Sequence, residues 1–141
     1  MPTVSPDLLY LDTSALVKLV VDEPESAGLA TWLDDRPDEV LCTSAIGRVE
    51  LIRAARRRGP EAIPLALHLF TEVALVPVDH VVLDLAALLE PAGLRTLDAL
   101  HLASAGSLGE AVTAVVAYDE RLLAAAGLVG LATASPGMAQ A

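Results

Sequence analysis

Asp12 closes the short apolar run Leu8 to Leu11, and Asp119 closes a second apolar stretch, Ala111 to Tyr118. Each therefore falls at the carboxyl end of an expected buried strand. Glu50 falls in the second turn of the helix expected after the strand Val40 to Thr43, and Asp98 in the first turn of the helix expected from Thr96. In open parallel sheets, ligands bind outside the carboxyl ends of the strands. All four carboxylates can then be presented on one edge of such a sheet. Gathered in one cleft they would repel, and some would take up protons at neutral pH unless a cation joined them. A hard divalent cation, Mg²⁺ or Mn²⁺, resolves that conflict, because it takes oxygen ligands, keeps waters and binds phosphate oxygens. Such a site suits hydrolysis of a phosphodiester.

Each acid also has a purely structural reading. Asp12, beside Thr13 and Ser14, could cap a helix, and Asp119 could cap the last one. Asp98 could complement the helix dipole. Glu50 could pair with Arg53 or Arg57 on a solvated face. Glu50 discriminates best, because it lies inside a helix where no cap needs it.

The elements that must position these residues alternate along the chain. After the first strand, Ala15 to Val21 reads as a helix. Pro24 opens a second, running to about Asp34. Ser44 caps a third, which runs to Arg58 and stops at Gly59-Pro60. Helices are also expected over Pro64 to Thr71, over Val81 to Leu89, over a segment capped by Thr96 that runs to about Ala105, and from Asp119 to a stop at Gly127. Further strands are expected over Val73 to Val78, within Ala111 to Tyr118, and over Leu128 to Thr133. The strands are apolar without alternation, as expected when helices cover both faces. The pattern predicts a three-layer α/β/α sandwich around a mostly parallel sheet. Residues 1–141 read as one domain, with 134–141 as a loose tail.

The composition bounds the rest. The chain has 141 residues, of which 54% are hydrophobic, and a mean hydropathy of +0.55. No apolar run reads as a membrane span, and residues 1–7 lack the pattern of a secretory leader. A single cysteine, Cys42, rules out an intrachain disulfide and agrees with a reducing, cytoplasmic setting. The net charge of −10 argues against a general affinity for phosphates. Yet five of the nine basic residues lie between Arg48 and Arg58, which makes one segment locally basic.

Four motifs now stand in order. Leu11-Asp12-Thr13-Ser14-Ala15-Leu16 resembles the opening motif of PIN-domain nucleases. Thr43-Ser44-Ala45-Ile46-Gly47-Arg48-Val49-Glu50-Leu51 is similar to their second, and Thr96-Leu97-Asp98-Ala99-Leu100-His101-Leu102-Ala103 to their third. Tyr118-Asp119-Glu120-Arg121-Leu122, followed by Ala125-Ala126-Gly127-Leu128, resembles the fourth, and Ser135-Pro136-Gly137 also fits. The nearest subgroup is the VapC-like toxins of type II toxin–antitoxin pairs. The resemblance implies a PIN-like α/β/α fold and an Mg²⁺- or Mn²⁺-dependent endoribonuclease that cuts cellular RNA. It also implies a homodimer and silencing by a VapB-like antitoxin. Carried over by position, Asp12 and Asp98 would be direct metal ligands. Glu50 and Asp119 would complete the cluster, directly or through water, and Ser14 would orient a ligand or a water. Ala117 departs from the pattern, since many relatives carry a hydroxyl residue there.

On the helix, Arg53 and Arg57 follow Glu50 at i+3 and i+7 and share its face. They become candidates for holding RNA phosphates beside the metal. His101 follows Asp98 at i+3, and a structural hydrogen-bonding role suits it better than ligation, because Mg²⁺ prefers oxygen to imidazole. Two rival functions remain. An aspartyl-phosphate phosphatase would need a second Asp two residues after Asp12, where Ser14 stands. A non-catalytic PIN-like binding module would not need the complete acidic set.

Overall fold

The computed structural model describes residues 6–139. Most of the segment read for a leader, and the last two residues of the expected tail, lie outside the described residues. Strand β1 (Leu8–Leu11) leads into α1 (Thr13–Val20) and α2 (Ser26–Asp34). Strand β2 (Val40–Ser44) leads into α3 (Ala45–Arg58) and α4 (Ala62–Leu69). Strand β3 (Ala74–Val76) precedes α5 (His80–Leu88) and α6 (Thr96–Ser107). Strand β4 (Val112–Val116), α7 (Glu120–Leu128) and the short β5 (Thr133–Ala134) follow.

The strands form one five-stranded sheet in the order β3-β2-β1-β4-β5, and every pairing is parallel. Successive side chains of a strand point to opposite faces, and β1 shows the consequence. Leu9 and Leu11 join Leu16, Leu29, Leu51 and Ala66 in a core under α1 to α4. Tyr10, between them, joins Leu102, Val115, Leu122 and Ala126 in a second core under α6 and α7. The two cores make the sheet the middle of three layers, as the sequence pattern predicts. Because β1 is central, its neighbours β2 and β4 leave it on opposite sides, and the switch point lies at its carboxyl end.

Some boundaries differ from the sequence reading. Thr96 is the first residue of α6 rather than its cap; Arg95 holds the cap position and makes no side-chain cap bond. Helix α4 starts two residues before Pro64, which is tolerated because the first turn of a helix has no use for its N–H groups. Helix α7 passes through Gly127 to Leu128. The residue that stops it is Gly130, with φ of +80°, where the chain turns left and the Leu131 N–H reaches back to the Ala126 carbonyl at 2.9 Å. That is the glycine closure expected at a helix end. It consumes the residues read as the fifth strand, which shrinks to Thr133–Ala134. The expected loose tail is tied down over its first part. The Ser135 hydroxyl donates to the Ala117 carbonyl at 2.6 Å, and the Tyr118 hydroxyl donates to the Pro136 carbonyl at 2.6 Å. Gly137 lies so close to α2 that a Cβ on Gly28 would sit 2.6 Å from the Gly137 Cα.

Candidate active site

Asp12 begins where β1 ends. Its N–H still donates to the Val116 carbonyl of β4 at 3.1 Å, so the residue is pinned to the switch point. Its side chain caps α1, accepting from the Ala15 N–H at 3.1 Å and from the Ser14 hydroxyl at 2.6 Å. The same Ser14 oxygen accepts from the Tyr118 N–H at 3.0 Å. Ser14 thus joins Asp12 to the segment that carries Asp119. Burial is nearly complete at Asp12, with 4% of its surface exposed. Burial pushes its carboxyl above the usual range, against the bonds from Ser14 and Ala15 and the influence of His101, and the nearby Asp98 adds to the rise.

Asp119 caps α7, accepting from the Leu122 N–H at 3.0 Å. Asp98 sits in the first turn of α6. Arg95, one turn earlier, spans both: its Nε donates to Asp98 at 3.0 Å and its Nη2 to Asp119 at 3.4 Å. The structure therefore gathers Asp12, Asp98 and Asp119 on the edge formed by the carboxyl ends of β1 and β4. Arg95 was not visible as a partner in the sequence; its i−3 spacing from Asp98 was the available signal.

Glu50 reaches the same region from α3 and is held by different partners. Its Oε1 accepts from the Thr13 hydroxyl at 2.7 Å and pairs with His101 Nε2 at 2.6 Å. Burial raises the Glu50 carboxyl, but the bonds from His101 and Thr13 outweigh it and hold the group below the usual carboxylate range. On the other side, His101 Nδ1 meets the Tyr10 hydroxyl at 2.8 Å. The structural hydrogen-bonding role read for His101 agrees with this placement. Thr13 and Tyr10 are the partners that the sequence did not reveal.

The arginines of α3 separate into two groups. Arg53 and Arg57, with Arg56, line one shallow exposed depression. Arg58 turns away to Glu23 at 3.2 Å, and Arg48 lies over the Phe70 ring at 5.2 Å. Arg53 and Arg57 thus share a depression with Arg56, and none of the four acids lines it.

Among the described residues, no three His, Cys, Asp or Glu side chains form a ready cage for an ion. The donor set nevertheless fits Mg²⁺ or Mn²⁺. Such ions bind through one or two carboxylates and keep several waters, and they do not need an all-protein cage. Asp12 is buried with Asp98 nearby, and a cation held between them would offset both the burial and the repulsion.

This combination of a parallel α/β/α sandwich with acids at its switch point defines a class, and comparison with known proteins places the chain in it. Residues 9–128 match the PIN domain family, and the chain belongs to that family. Its relatives include Ribonuclease VapC47 of Mycobacterium tuberculosis (strain CDC 1551 / Oshkosh), 44% identical over 133 residues that span 92% of this chain and 98% of that protein. Ribonuclease VapC35 of the same strain is 44% identical over 94% of this chain and 100% of its own length. Among solved structures, the Sarcin-Ricin loop cleaving toxin VapC20 of Mycobacterium tuberculosis matches the fold with a TM-score of 0.70 at 19% identity, over 91% of this chain and 99% of its own. The structure of FitAB bound to an IR36 DNA fragment matches with a TM-score of 0.66 at 21% identity, over 94% of this chain and 98% of that one. Within the PIN family, the chain is VapC-like. No helix among the described residues is long and apolar enough to cross a membrane.

Proposed function

We propose that this chain is the toxin of a type II toxin–antitoxin pair, an endoribonuclease that hydrolyses phosphodiester bonds of cellular RNA with Mg²⁺ or Mn²⁺. The observation that carries this reading is the buried Asp12 carboxylate beside Asp98 at the switch point of the sheet. Its VapC relatives, named ribonucleases, supply the substrate class. Asp12 and Asp98 would hold the cation, and Asp119 and Glu50 would complete the acidic wall. When bound there, the ion supplies a polarised phosphate and a water of lowered pKa.

The chain's own residues do the rest. Ser14 orients Asp12 through its 2.6 Å bond, while the Tyr118 N–H fixes Ser14 from behind. Arg53 and Arg57 offer guanidinium donors on α3 for the RNA backbone, a suitable partner for a fork of N–H groups. They supply local positive charge in a chain whose net charge of −10 otherwise repels phosphate. The partners that follow are a VapB-like antitoxin and a second copy of the chain, in the cytoplasm. The phosphatase alternative is disfavoured by Ser14, which occupies the required acid position and is spent on Asp12 and Tyr118.

The test is sequencing of new RNA ends after incubating cellular RNA with the purified protein and Mg²⁺. Discrete ends made by the wild type and missing with Asp98→Asn support the reading. Identical ends with both proteins would refute the site, and absence of ends with release of phosphate from small monoesters would revive the phosphatase.

A further inference from the structure

Behind Glu50 runs a buried chain of hydrogen bonds that the reaction as described does not use. It starts at the Ser44 N–H, which donates to the Tyr10 hydroxyl at 3.0 Å. A phenol both accepts and donates, and with the Ser44 N–H on its oxygen the Tyr10 hydroxyl has its own proton to give. Its neighbour is His101 Nδ1, 2.8 Å away. An imidazole that accepts at Nδ1 carries its proton at Nε2. That Nε2–H faces Glu50 Oε1 at 2.6 Å, with the Thr13 oxygen at 3.2 Å alongside. The ring is 3% exposed and stands edge-on to the Tyr10 ring, with centroids 5.9 Å apart. It has little freedom to turn. Among the described residues, Oε1 takes both donors, from Thr13 and His101, and none donates to Oε2.

We propose that His101 is the positioning residue for Glu50: backed by Tyr10, it commits one carboxylate oxygen to the protein interior and leaves the other as the oxygen that Glu50 contributes to the metal cleft. The proposal rests on the reading of Glu50 as part of that cleft. Groups behind metal-facing ligands typically change metal affinity about 10–100-fold when removed.

The experiment measures Mn²⁺ affinity of the purified protein by titration followed by electron paramagnetic resonance, without RNA. His101→Leu should weaken Mn²⁺ about 10-fold or more, while His101→Gln, which restores an N–H at the Nε2 position, should recover most of the loss. In the Glu50→Gln background, His101→Leu should add nothing, because it acts through Glu50. Wild-type affinity in His101→Leu would overturn the proposal, as would losses that multiply in the double variant. If His101→Leu does not fold, Tyr10→Phe decides, since it keeps the ring and removes the hydroxyl. A weaker but clear loss of affinity, about 3-fold or more, supports the relay, and an unchanged value overturns it. Asp12→Asn separates this proposal from the one beneath it. If that variant keeps Mn²⁺ binding and cleavage, the metal site itself is misplaced.

Discussion

Both ends of helix α1 carry clustered carboxylates, and the two clusters are neutralised in opposite ways. At its carboxyl end, Lys18 pairs with Glu23 at 3.2 Å and with Glu25 at 3.0 Å, and Arg58 closes on Glu23 at 3.2 Å. Lys18 also lies over the Tyr118 ring, 4.6 Å from its centroid. Two carboxylates meet two cations there. At its amino end, Asp12, Asp98 and Asp119 converge, and the cation among them is the exposed Arg95. Two of these carboxyls titrate in opposite directions, each for its own reason. Bonds from Lys18 hold the Glu25 carboxyl below its usual range. Burial raises Asp12 above it. An acidic cluster that the fold completes is structural, whereas one left short of positive charge is available for an ion from solution.

The largest expected effect comes from removing charge at the uncompensated end. Asp12→Asn or Asp98→Asn should lower Mg²⁺-dependent RNA cleavage at least about 100-fold, since metal stabilisation of phosphate charge is worth several kcal/mol. Circular dichroism should show an intact fold, because Asn caps a helix about as well as Asp. Wild-type cleavage by either variant would remove the distinction between the two clusters.

Next in size is the compensated end. Lys18→Met should destabilise the protein by about 1–2 kcal/mol, read as a lower midpoint in urea, because it leaves Glu25 without its cation and Glu23 with Arg58 alone. Glu25 has a depressed folded pKa, so its stabilisation is present above the usual carboxylate range and is lost as pH falls through that depressed value. The gap between Lys18→Met and the wild type should therefore narrow in acid. A gap that widens would contradict the pairing.

Asp12 should behave with the opposite sign. Its folded pKa is raised, so the folded state favours the protonated form, and that advantage is lost as pH rises through the raised value. In chelator at neutral pH, Asp12→Asn should be more stable than the wild type by about 1 kcal/mol, a rise of roughly 2–4 °C in Tm. The difference should fade as the wild-type side chain protonates between its raised pKa and the usual range. An unchanged or lowered Tm at neutral pH would show that Asp12 is already paid for inside the protein. The smallest effect belongs to Arg58→Ala. Its side chain is 53% exposed, and its removal should cost within about 0.5 kcal/mol.

Much of this arrangement was legible in the sequence because its causes are local. A short apolar run ending in Asp-Thr-Ser predicts both a strand and a cap, and Asp12 fills both roles. Asp119 is read in the same way. Helix α3 between Ser44 and Gly59 follows from its cap and its breaker. Local patterns could not say which of two glycines stops α7, because Gly127 and Gly130 are equally plausible until the chain turns at one of them. Nor could they show the Tyr10–His101 pair, whose members lie 91 residues apart. That contact exists because β1 faces α6 across the sheet, which is a property of strand order. Arg95 was hidden for a related reason. Its bond to Asp98 is local, but its meaning depends on Asp119 arriving beside α6 from the end of β4.

The central position of β1 also sets a timetable for synthesis. Strand β1 pairs with β2 on one edge, and its other edge stays open until β4 is made. Asp12 gains its backbone anchor only from Val116, and the Tyr118 segment behind Ser14 is fastened by Ser135 and Pro136. Such distant pairings form late. A ribosome that has not passed residue 136 therefore carries a chain whose acidic wall is still in separate pieces. The acidic edge comes together only after residue 136 has been made.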